Sequence, residues 1–230
     1  MKCILVAPQF DEATQYSYRW AQKLKQAIGG QAEIVPLLLA DAVRAKVEDA
    51  LRSNPDAVLI HYDHGNQTSL IGQDMLPVLD LRNVALLSKH ESYNMNCLSA
   101  VTLGKQAYKD GCLAYWGYTQ EVAFTTEGEE KFGDAFGYGL ILRVSGKTWA
   151  ECLNLAREKM TEIVNEFVDE GNPIAAMSLR QDRDALVCYD GSPPPPENCP
   201  VSRIIAALLG YRALTRLRQV RDKVRAQLHA

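Results

Sequence analysis

Short apolar runs alternate with amphipathic segments along the chain, and this alternation predicts a β-sheet covered by helices. Helical spacing of apolar residues follows the first run, for example in Tyr16, Trp20 and Leu24. This rhythm is typical of an α/β fold in which a mainly parallel sheet carries helices on both faces. The predicted strands are residues 2–8, 32–39, 57–64, 91–97, 113–118 and 185–189, and the predicted helices are residues 11–28, 99–110, 148–170 and 201–228.

Local signals refine these boundaries. Gly29 and Gly30 end the first helix, Asp41 is expected to cap a helix that runs to about residue 53, and Thr148 is expected to cap the helix that follows it. Residues 67–87 have a mixed pattern and are expected to contain short helical turns.

Two segments of unusual composition lie in the C-terminal half. Residues 127–139 are polar and rich in glycine, which predicts a mobile loop or a weakly held helix beside the strand ends. We interpret this segment as a candidate for substrate gating or self-cleavage. The proline run at 193–196 predicts a stiff extended linker before the final helix.

Composition limits the class of protein. A chain of 230 residues with 47% hydrophobic and 23% charged residues can form one globular domain, which we divide into a βα core at 1–126 and C-terminal helices with an additional strand at 127–230. The net charge of −3 argues against a nucleic-acid-binding protein. The basic residues of segment 201–228 leave RNA or an acidic partner as a weaker alternative. We expect no membrane association and a cytoplasmic location, because no apolar stretch suffices for a signal peptide or a bilayer span.

The chemistry-bearing residues of the chain follow two predicted strands. Strand 57–64 ends on His64, which Gly65 follows, and strand 91–97 ends on Cys97. Parallel strands that end at one edge of a sheet deliver their last side chains to a shared crevice. The pattern therefore predicts a base beside a nucleophilic thiol, the minimum equipment of a cysteine hydrolase.

Each group has a defined role in this hypothesis. His64 would activate the thiol of Cys97 and later protonate the leaving amine. The backbone N–H groups of Gly65 and Cys97 would stabilise the oxyanion. The structural alternative is a packed core cysteine and a histidine–glycine pair that only opens a loop.

No cofactor or metal ion is expected. His61 and His64 should face opposite sides of their strand, which disfavours a zinc site. The sequence Ser145-Gly146-Lys147-Thr148 imitates the end of a P-loop, but Ile141 stands where the first glycine should be.

Two motifs resemble a known family of peptidases. The segment Leu59-Ile60-His61-Tyr62-Asp63-His64-Gly65 resembles the strand–His–Gly motif of the caspase-like (clan CD) cysteine peptidases, and Tyr93-Asn94-Met95-Asn96-Cys97-Leu98-Ser99-Ala100 is similar to their strand–Cys–Ser–Ala motif. The order of the following helix and strand is similar to bacterial gingipain-like members.

This resemblance implies a three-layer α/β sandwich of the caspase–hemoglobinase type and a cysteine endopeptidase that acts on protein or peptide substrates. It implies a catalytic dyad of His64 and Cys97, oxyanion amides from Gly65 and Cys97, and no third catalytic residue.

The chain also departs from the family. Met95 stands where several relatives that cleave after basic residues carry an acid. Asp11 could replace that charge, although a role at the N-terminus of a helix is the favoured interpretation. Trp116 and Tyr118 could wall the substrate pocket or simply pack in the core. A catalytically silent interaction module and a non-peptidase thiol hydrolase remain alternatives, and the oligomeric state is open.

Overall fold

The computed structural model describes residues 1–191, and within this range the chain forms nine strands and six α-helices. The predicted proline linker and the predicted helix 201–228 lie outside the described residues. The strands are β1 (Lys2–Ala7), β2 (Glu33–Leu38), β3 (Val58–Tyr62), β4 (Gly65–Asn66), β5 (Ser69–Ile71), β6 (Pro77–Asp80), β7 (Glu91–Met95), β8 (Ala114–Tyr118) and β9 (Leu186–Tyr189). The helices are α1 (Glu12–Ile28), α2 (Arg44–Ser53), α3 (Leu103–Lys109), α4 (Glu129–Val144), α5 (Trp149–Asp169) and α6 (Pro173–Ala185).

A six-stranded mixed sheet in the order β2-β1-β3-β7-β8-β9 forms the centre of the described unit. Its first five strands are parallel, and β9 pairs antiparallel with β8. The chain is therefore an α/β protein with a mainly parallel sheet, as the alternating pattern predicts. The near-continuous apolar sequences of β1 and β3 agree with strands that are buried on both faces.

Two apolar cores cover the two faces of this sheet. One face packs against α1, α4, α5 and α6, through side chains such as Trp20, Phe136 and Phe167. The other face packs against α2 and α3 and against a small three-stranded sheet, through Leu51, Leu79 and Leu103. Successive residues of each strand point to opposite faces of the sheet, so both faces present apolar side chains. Helices pack on both of these faces.

Most predicted elements are confirmed, with ends that are shorter by a few residues. Asp11 caps α1 and Thr148 caps α5, each in a reciprocal capping box. The prediction for Asp41 is wrong: this residue ends the 3₁₀ turn Leu39–Asp41, and α2 begins at Arg44 after the N-cap residue Val43.

The segment 67–87 contains β5 and β6, which form a small antiparallel sheet with β4, and then the 3₁₀ turn Val84–Leu87. The predicted helical turn is therefore confirmed, whereas the small sheet was not predicted. Asp80 links this small sheet to α2, because it forms an ion pair with Arg44; it forms a second ion pair with Arg82. The hydrogen bonds from Arg82 hold the pKa of Asp80 at about 2 despite its partial burial, so the carboxylate stays charged.

Residues 129–139 of the glycine-rich segment form the first part of α4, so the helix is confirmed and the alternative of a mobile loop is wrong. Gly133 lies against the Trp20 ring, and a Cβ at Gly139 would lie 2.6 Å from Cη2 of Trp116. The glycines therefore let the backbone of α4 approach large aromatic side chains of the core. A packed helix of this kind is a poor candidate for a gate or a self-cleaved loop.

No helix among the described residues is both long and apolar enough to cross a bilayer.

The close approach at α4 predicts different effects for two neighbouring glycines. Replacing Gly139 with Ala should lower the free energy of unfolding by about 1–3 kcal/mol, because the new methyl group overlaps the Trp116 ring. Urea denaturation followed by far-UV circular dichroism measures this effect. Gly137→Ala is the matched control: its Cβ would meet Leu24 at an ordinary 3.4 Å, so it should be neutral or stabilise by up to about 1 kcal/mol. Equal effects at both positions would contradict this account of the packing.

Candidate functional site

His64 and Cys97 follow two neighbouring parallel strands at the same edge of the sheet. Tyr62 and Met95 are the last paired residues of β3 and β7, and the N–H of Asp63 donates to the Met95 carbonyl at 3.4 Å. His64 and Cys97 each lie two residues beyond this pair. Both side chains therefore stand on loops just past the carboxyl ends of the strands, the usual place for ligands in an open α/β sheet.

The His64 imidazole is partly exposed and forms one hydrogen bond within the described residues. Its Nε2 lies 2.8 Å from Oδ2 of Asp11, and 43% of its side chain is accessible to solvent. The Phe10 ring lies beside it, with ring centroids 5.8 Å apart. A carboxylate only accepts hydrogen bonds, so Nε2 carries the hydrogen and the lone pair is on Nδ1. Nδ1 has no protein partner in the described residues and is available to take a proton.

Asp11 serves both the helix and the histidine. Its Oδ1 accepts the N–H of Thr14 at 2.8 Å, as an N-cap does, and its Oδ2 contacts His64. Partial burial would raise the pKa of Asp11, but the hydrogen bonds from Thr14 and His64 outweigh it and lower the pKa below its usual value. The favoured interpretation as a helix N-terminal residue is confirmed. Both oxygens are engaged within the protein, and the contact of Oδ2 with Nε2 fixes the orientation of His64.

The Cys97 thiol is partly buried beneath the segment that follows β8. Its Sγ accepts the N–H of Val122 at 3.4 Å and lies 3.9 Å from the Val122 carbonyl oxygen. Burial raises the pKa of this thiol; the Val122 hydrogen bond opposes the rise and the charge of Glu121 adds to it. Within the described residues, no hydrogen bond joins Cys97 to His64. In this conformation the thiol contacts the Val122 backbone and the imidazole contacts Asp11.

Two backbone N–H groups near these side chains have no hydrogen-bond acceptor in the part of the chain that the structure describes. The Ile71 N–H donates to the His64 carbonyl at 3.1 Å, so the next pair of this antiparallel ladder, Gly65 and Leu70, is a non-hydrogen-bonded pair. The N–H of Gly65 therefore faces away from β5. Among residues 1–191, the N–H of Cys97 donates no hydrogen bond either. These are the two amides that the sequence predicts for an oxyanion hole.

A glycine is required at position 65 because the chain approaches the neighbouring loop closely there. A Cβ on Gly65 would lie 3.0 Å from the Cβ of Asn96. The loop that carries Cys97 therefore packs directly on the backbone that follows His64.

His61 forms a buried support under both loops, which the sequence does not reveal. Its ring is fully buried; Nε2 donates to the Ile71 carbonyl at 2.8 Å and Nδ1 accepts from the Asn96 amide at 3.0 Å. Burial lowers the pKa of His61 to about 4, so the ring is neutral. Both ring nitrogens are occupied, and strand alternation turns this ring away from His64. The hydrogen bonds join β3, β5 and the Cys97 loop.

The structure places Trp116 and Tyr118 in the core and not in a substrate pocket. Each is 1% exposed, and the Trp116 ring stacks on Tyr93 with centroids 5.1 Å apart. These alternate residues of β8 face the layer of α4 and α5, whereas the candidate site lies past the end of the strand. The pocket interpretation is therefore wrong for both residues, and the core interpretation is confirmed.

Two buried carboxyl groups near the site escaped the sequence analysis. Asp63 directly precedes His64, and within residues 1–191 neither of its carboxyl oxygens has a hydrogen-bond partner. Asp182 of α6 is fully buried; its Oδ1 accepts the N–H of Ala123 at 3.0 Å, and its Oδ2 has no partner in the same range. Burial raises the pKa of each to about 8. Only the tertiary structure could reveal them, since nothing in the pattern of residues 173–185 marks one aspartate as buried.

The raised pKa of Asp63 predicts a pH-dependent stability. The pKa of this carboxyl is about 8 when folded and about 4 when unfolded, so the folded chain binds the proton more tightly. The stability it contributes is complete below about pH 4 and is lost as the pH rises towards 8. Asp63→Asn should therefore be more stable than the wild type at pH 9, by a few kcal/mol at most, with little difference at pH 4.

Urea unfolding at pH 4, 7 and 9 measures this difference. Asp134→Asn is the control, because Asp134 is about half exposed in an ion pair with Lys23 and should shift the curves little at any pH. A constant difference between Asp63→Asn and wild type across this range would contradict the prediction.

The chain matches no protein-family model, no curated protein and no solved structure.

Proposed function

We propose that this protein is a cysteine endopeptidase that uses His64 and Cys97. The observation that carries the proposal is the placement of these two residues, each two positions past the last paired residues of adjacent parallel strands. An ionised Asp11 on Nε2 of His64 leaves Nδ1 free to act as the base. A buried core cysteine would need none of these surrounding groups.

The proposed reaction uses Nδ1 of His64, Sγ of Cys97 and two backbone N–H groups. When a substrate peptide binds, Nδ1 of His64 takes the proton from Sγ of Cys97, and the thiolate attacks the carbonyl carbon of the peptide bond. The N–H groups of Gly65 and Cys97 donate to the oxyanion that forms. The imidazolium then gives its proton to the leaving amine, which departs and leaves a thioester on Cys97. A water molecule, deprotonated by His64, hydrolyses the thioester and restores the thiol.

Asp11 is a positioning residue in this mechanism. Its carboxylate holds the tautomer with the lone pair on Nδ1, and its negative charge favours the imidazolium that forms during the reaction. The resemblance to caspase-like peptidases implies only a dyad, so this aspartate is a feature of the present chain.

The finer fold type is part of the proposal. Histidine–glycine after β3, cysteine after β7 and helices on both faces of a mainly parallel sheet support a sandwich of the caspase–hemoglobinase type. A reducing cytoplasm is the proposed location, which agrees with the free state of all the cysteines in residues 1–191.

Labelling with an activity probe tests the proposal. A peptidyl acyloxymethyl ketone should label the wild-type protein at Cys97, and Cys97→Ala should abolish the labelling. His64→Ala should slow it by about 10²–10⁴-fold, which is the usual contribution of a general base. Cys188→Ala is the matched control: this cysteine is also partly buried but lies on β9, and its loss should leave labelling unchanged.

The alternatives predict different results in the same experiment, combined with a peptide library. Labelling of Cys97 without cleavage of any peptide would replace the endopeptidase with a thiol hydrolase of another class. Probe labelling that is unaffected by Cys97→Ala, with no cleavage, would favour an interaction module that has kept only the fold.

The role of Asp11 predicts a separation of kinetic constants. Asp11→Asn should lower kcat by at least about tenfold with little change in KM, because the carboxamide does not stabilise the imidazolium. Asparagine is as good an N-cap residue as aspartate, so the free energy of unfolding should change by less than about 1 kcal/mol. Steady-state kinetics and urea denaturation measure the two quantities. An unchanged kcat would show that Asp11 only caps α1.

A further inference from the structure

A segment without regular secondary structure crosses the candidate site directly after β8. We name residues 119–124 the strap. It connects β8 to the turn before α4, and its residues are partly or fully exposed. The strap lies between the Cys97 loop on one side and α6 on the other, and its contacts with both are specific.

The strap occupies the polar surroundings of the Cys97 sulfur. Both the N–H and the carbonyl oxygen of Val122 lie within 4 Å of Sγ, at 3.4 and 3.9 Å. The neighbouring Leu98 N–H donates to the Gln120 carbonyl at 3.0 Å. The sulfur therefore meets a backbone amide of its own chain where a peptide substrate would have to approach.

Helix α6 holds the middle of the strap from the other side. The Ala123 N–H donates to Oδ1 of Asp182 at 3.0 Å, and the Gln181 amide donates to the Glu121 carbonyl at 3.1 Å. Asp182 is fully buried, so it is a fixed acceptor, whereas Gln181 is exposed. Two adjacent residues of α6 thus attach two positions of the strap.

The ends of the strap are attached more firmly than its middle. Thr119 binds the Ala185 carbonyl through both its N–H, at 2.9 Å, and its hydroxyl, at 3.1 Å. Phe124 inserts its ring between Tyr16 and Trp20, with centroids 5.3 and 4.9 Å away. Between these anchors, hydrogen bonds to Leu98, Cys97, Gln181 and Asp182 hold the chain, and the half-buried Val122 side chain packs against the edge of the core. Segments without regular secondary structure whose hydrogen bonds are partly exposed open at lower free energy than core strands and helices.

We propose that residues 120–123 close the candidate site in this conformation and move away from Cys97 before a substrate carbonyl can reach the sulfur. Nucleophilic attack needs the carbonyl carbon within about 3–3.5 Å of the sulfur, a distance at which Val122 would collide with the substrate. The regulatory meaning of this motion rests on the proposed peptidase function. The closed contact itself does not.

The state of the thiol is consistent with a closed form. Burial beneath the strap raises the pKa of Cys97, so the sulfur is protonated and a poor nucleophile. Moving residues 120–123 would admit water to the sulfur and remove much of this burial. The same motion would therefore open the site and activate the nucleophile.

The rate of alkylation of Cys97 by iodoacetamide tests the proposal in the full chain. Mass spectrometry of peptides resolves Cys97 from the other cysteines, and the assay requires no enzymatic activity. Gln181→Ala removes one strap hydrogen bond from an exposed position, and Val122→Gly increases the backbone freedom of the strap. Each should accelerate alkylation of Cys97 by about threefold to tenfold, and the double variant should exceed either single one.

Gln26→Ala makes the same substitution at an exposed position of α1 away from the strap and should leave the rate unchanged. Equal rates in the wild type and all these variants would overturn the proposal. So would a wild-type rate as fast as that of a short unstructured cysteine peptide, because the thiol would then already be open.

Hydrolysis of peptides by the same variants separates the two proposals. Faster alkylation without hydrolysis by any variant would keep the strap and remove the peptidase. Hydrolysis with alkylation rates that do not respond to the strap variants would keep the peptidase and remove the strap.

Discussion

The parallel pairing of β3 with β7 is the constraint on which the candidate site depends. Its register ends at Tyr62 and Met95, and this fixes where the two following loops begin. A shift by one residue would turn His61 to the opposite face of the sheet and remove its hydrogen bonds to Ile71 and Asn96. The buried imidazole therefore makes the register costly to change. The geometry of the candidate site thus depends on backbone pairing and on one buried, neutral histidine.

Both faces of the sheet contribute groups to the surroundings of this edge. The helix α1 contributes Asp11 at its N-cap, where an acidic side chain is favoured by the helix dipole as well as by capping. On the same face α6 contributes Gln181 and Asp182, and on the other face the small sheet contributes Gly65. The core shared by α1 and α6, with α4 packed through its glycines onto Trp20 and Trp116, holds both helices on one face of the sheet. A site on a parallel sheet is thus assembled from segments far apart in sequence.

The two side chains of the candidate site differ in their surroundings. His64 is partly exposed and is oriented by the charged Asp11, whereas Cys97 is partly buried and lies against backbone groups of Val122. Burial raises the pKa of the thiol, which favours the protonated and less reactive sulfur.

The sequence by itself determined the six strands of the main sheet, the helices α1, α2, α3 and α5, the place of Asp11 at the start of α1, the N-cap at Thr148, and the positions of His64 and Cys97 after neighbouring strands. These features depend on local periodicity and capping chemistry, which act within a few residues. The tertiary structure alone decided that the glycine-rich segment is a packed helix, because its glycines pack against Trp20 and Trp116, which lie far away in the chain. It also decided that Trp116 and Tyr118 face the core, that Asp11 meets His64, and that Val122 covers Cys97. Contacts between distant segments depend on how the layers pack, and no local pattern encodes the distance between two side chains.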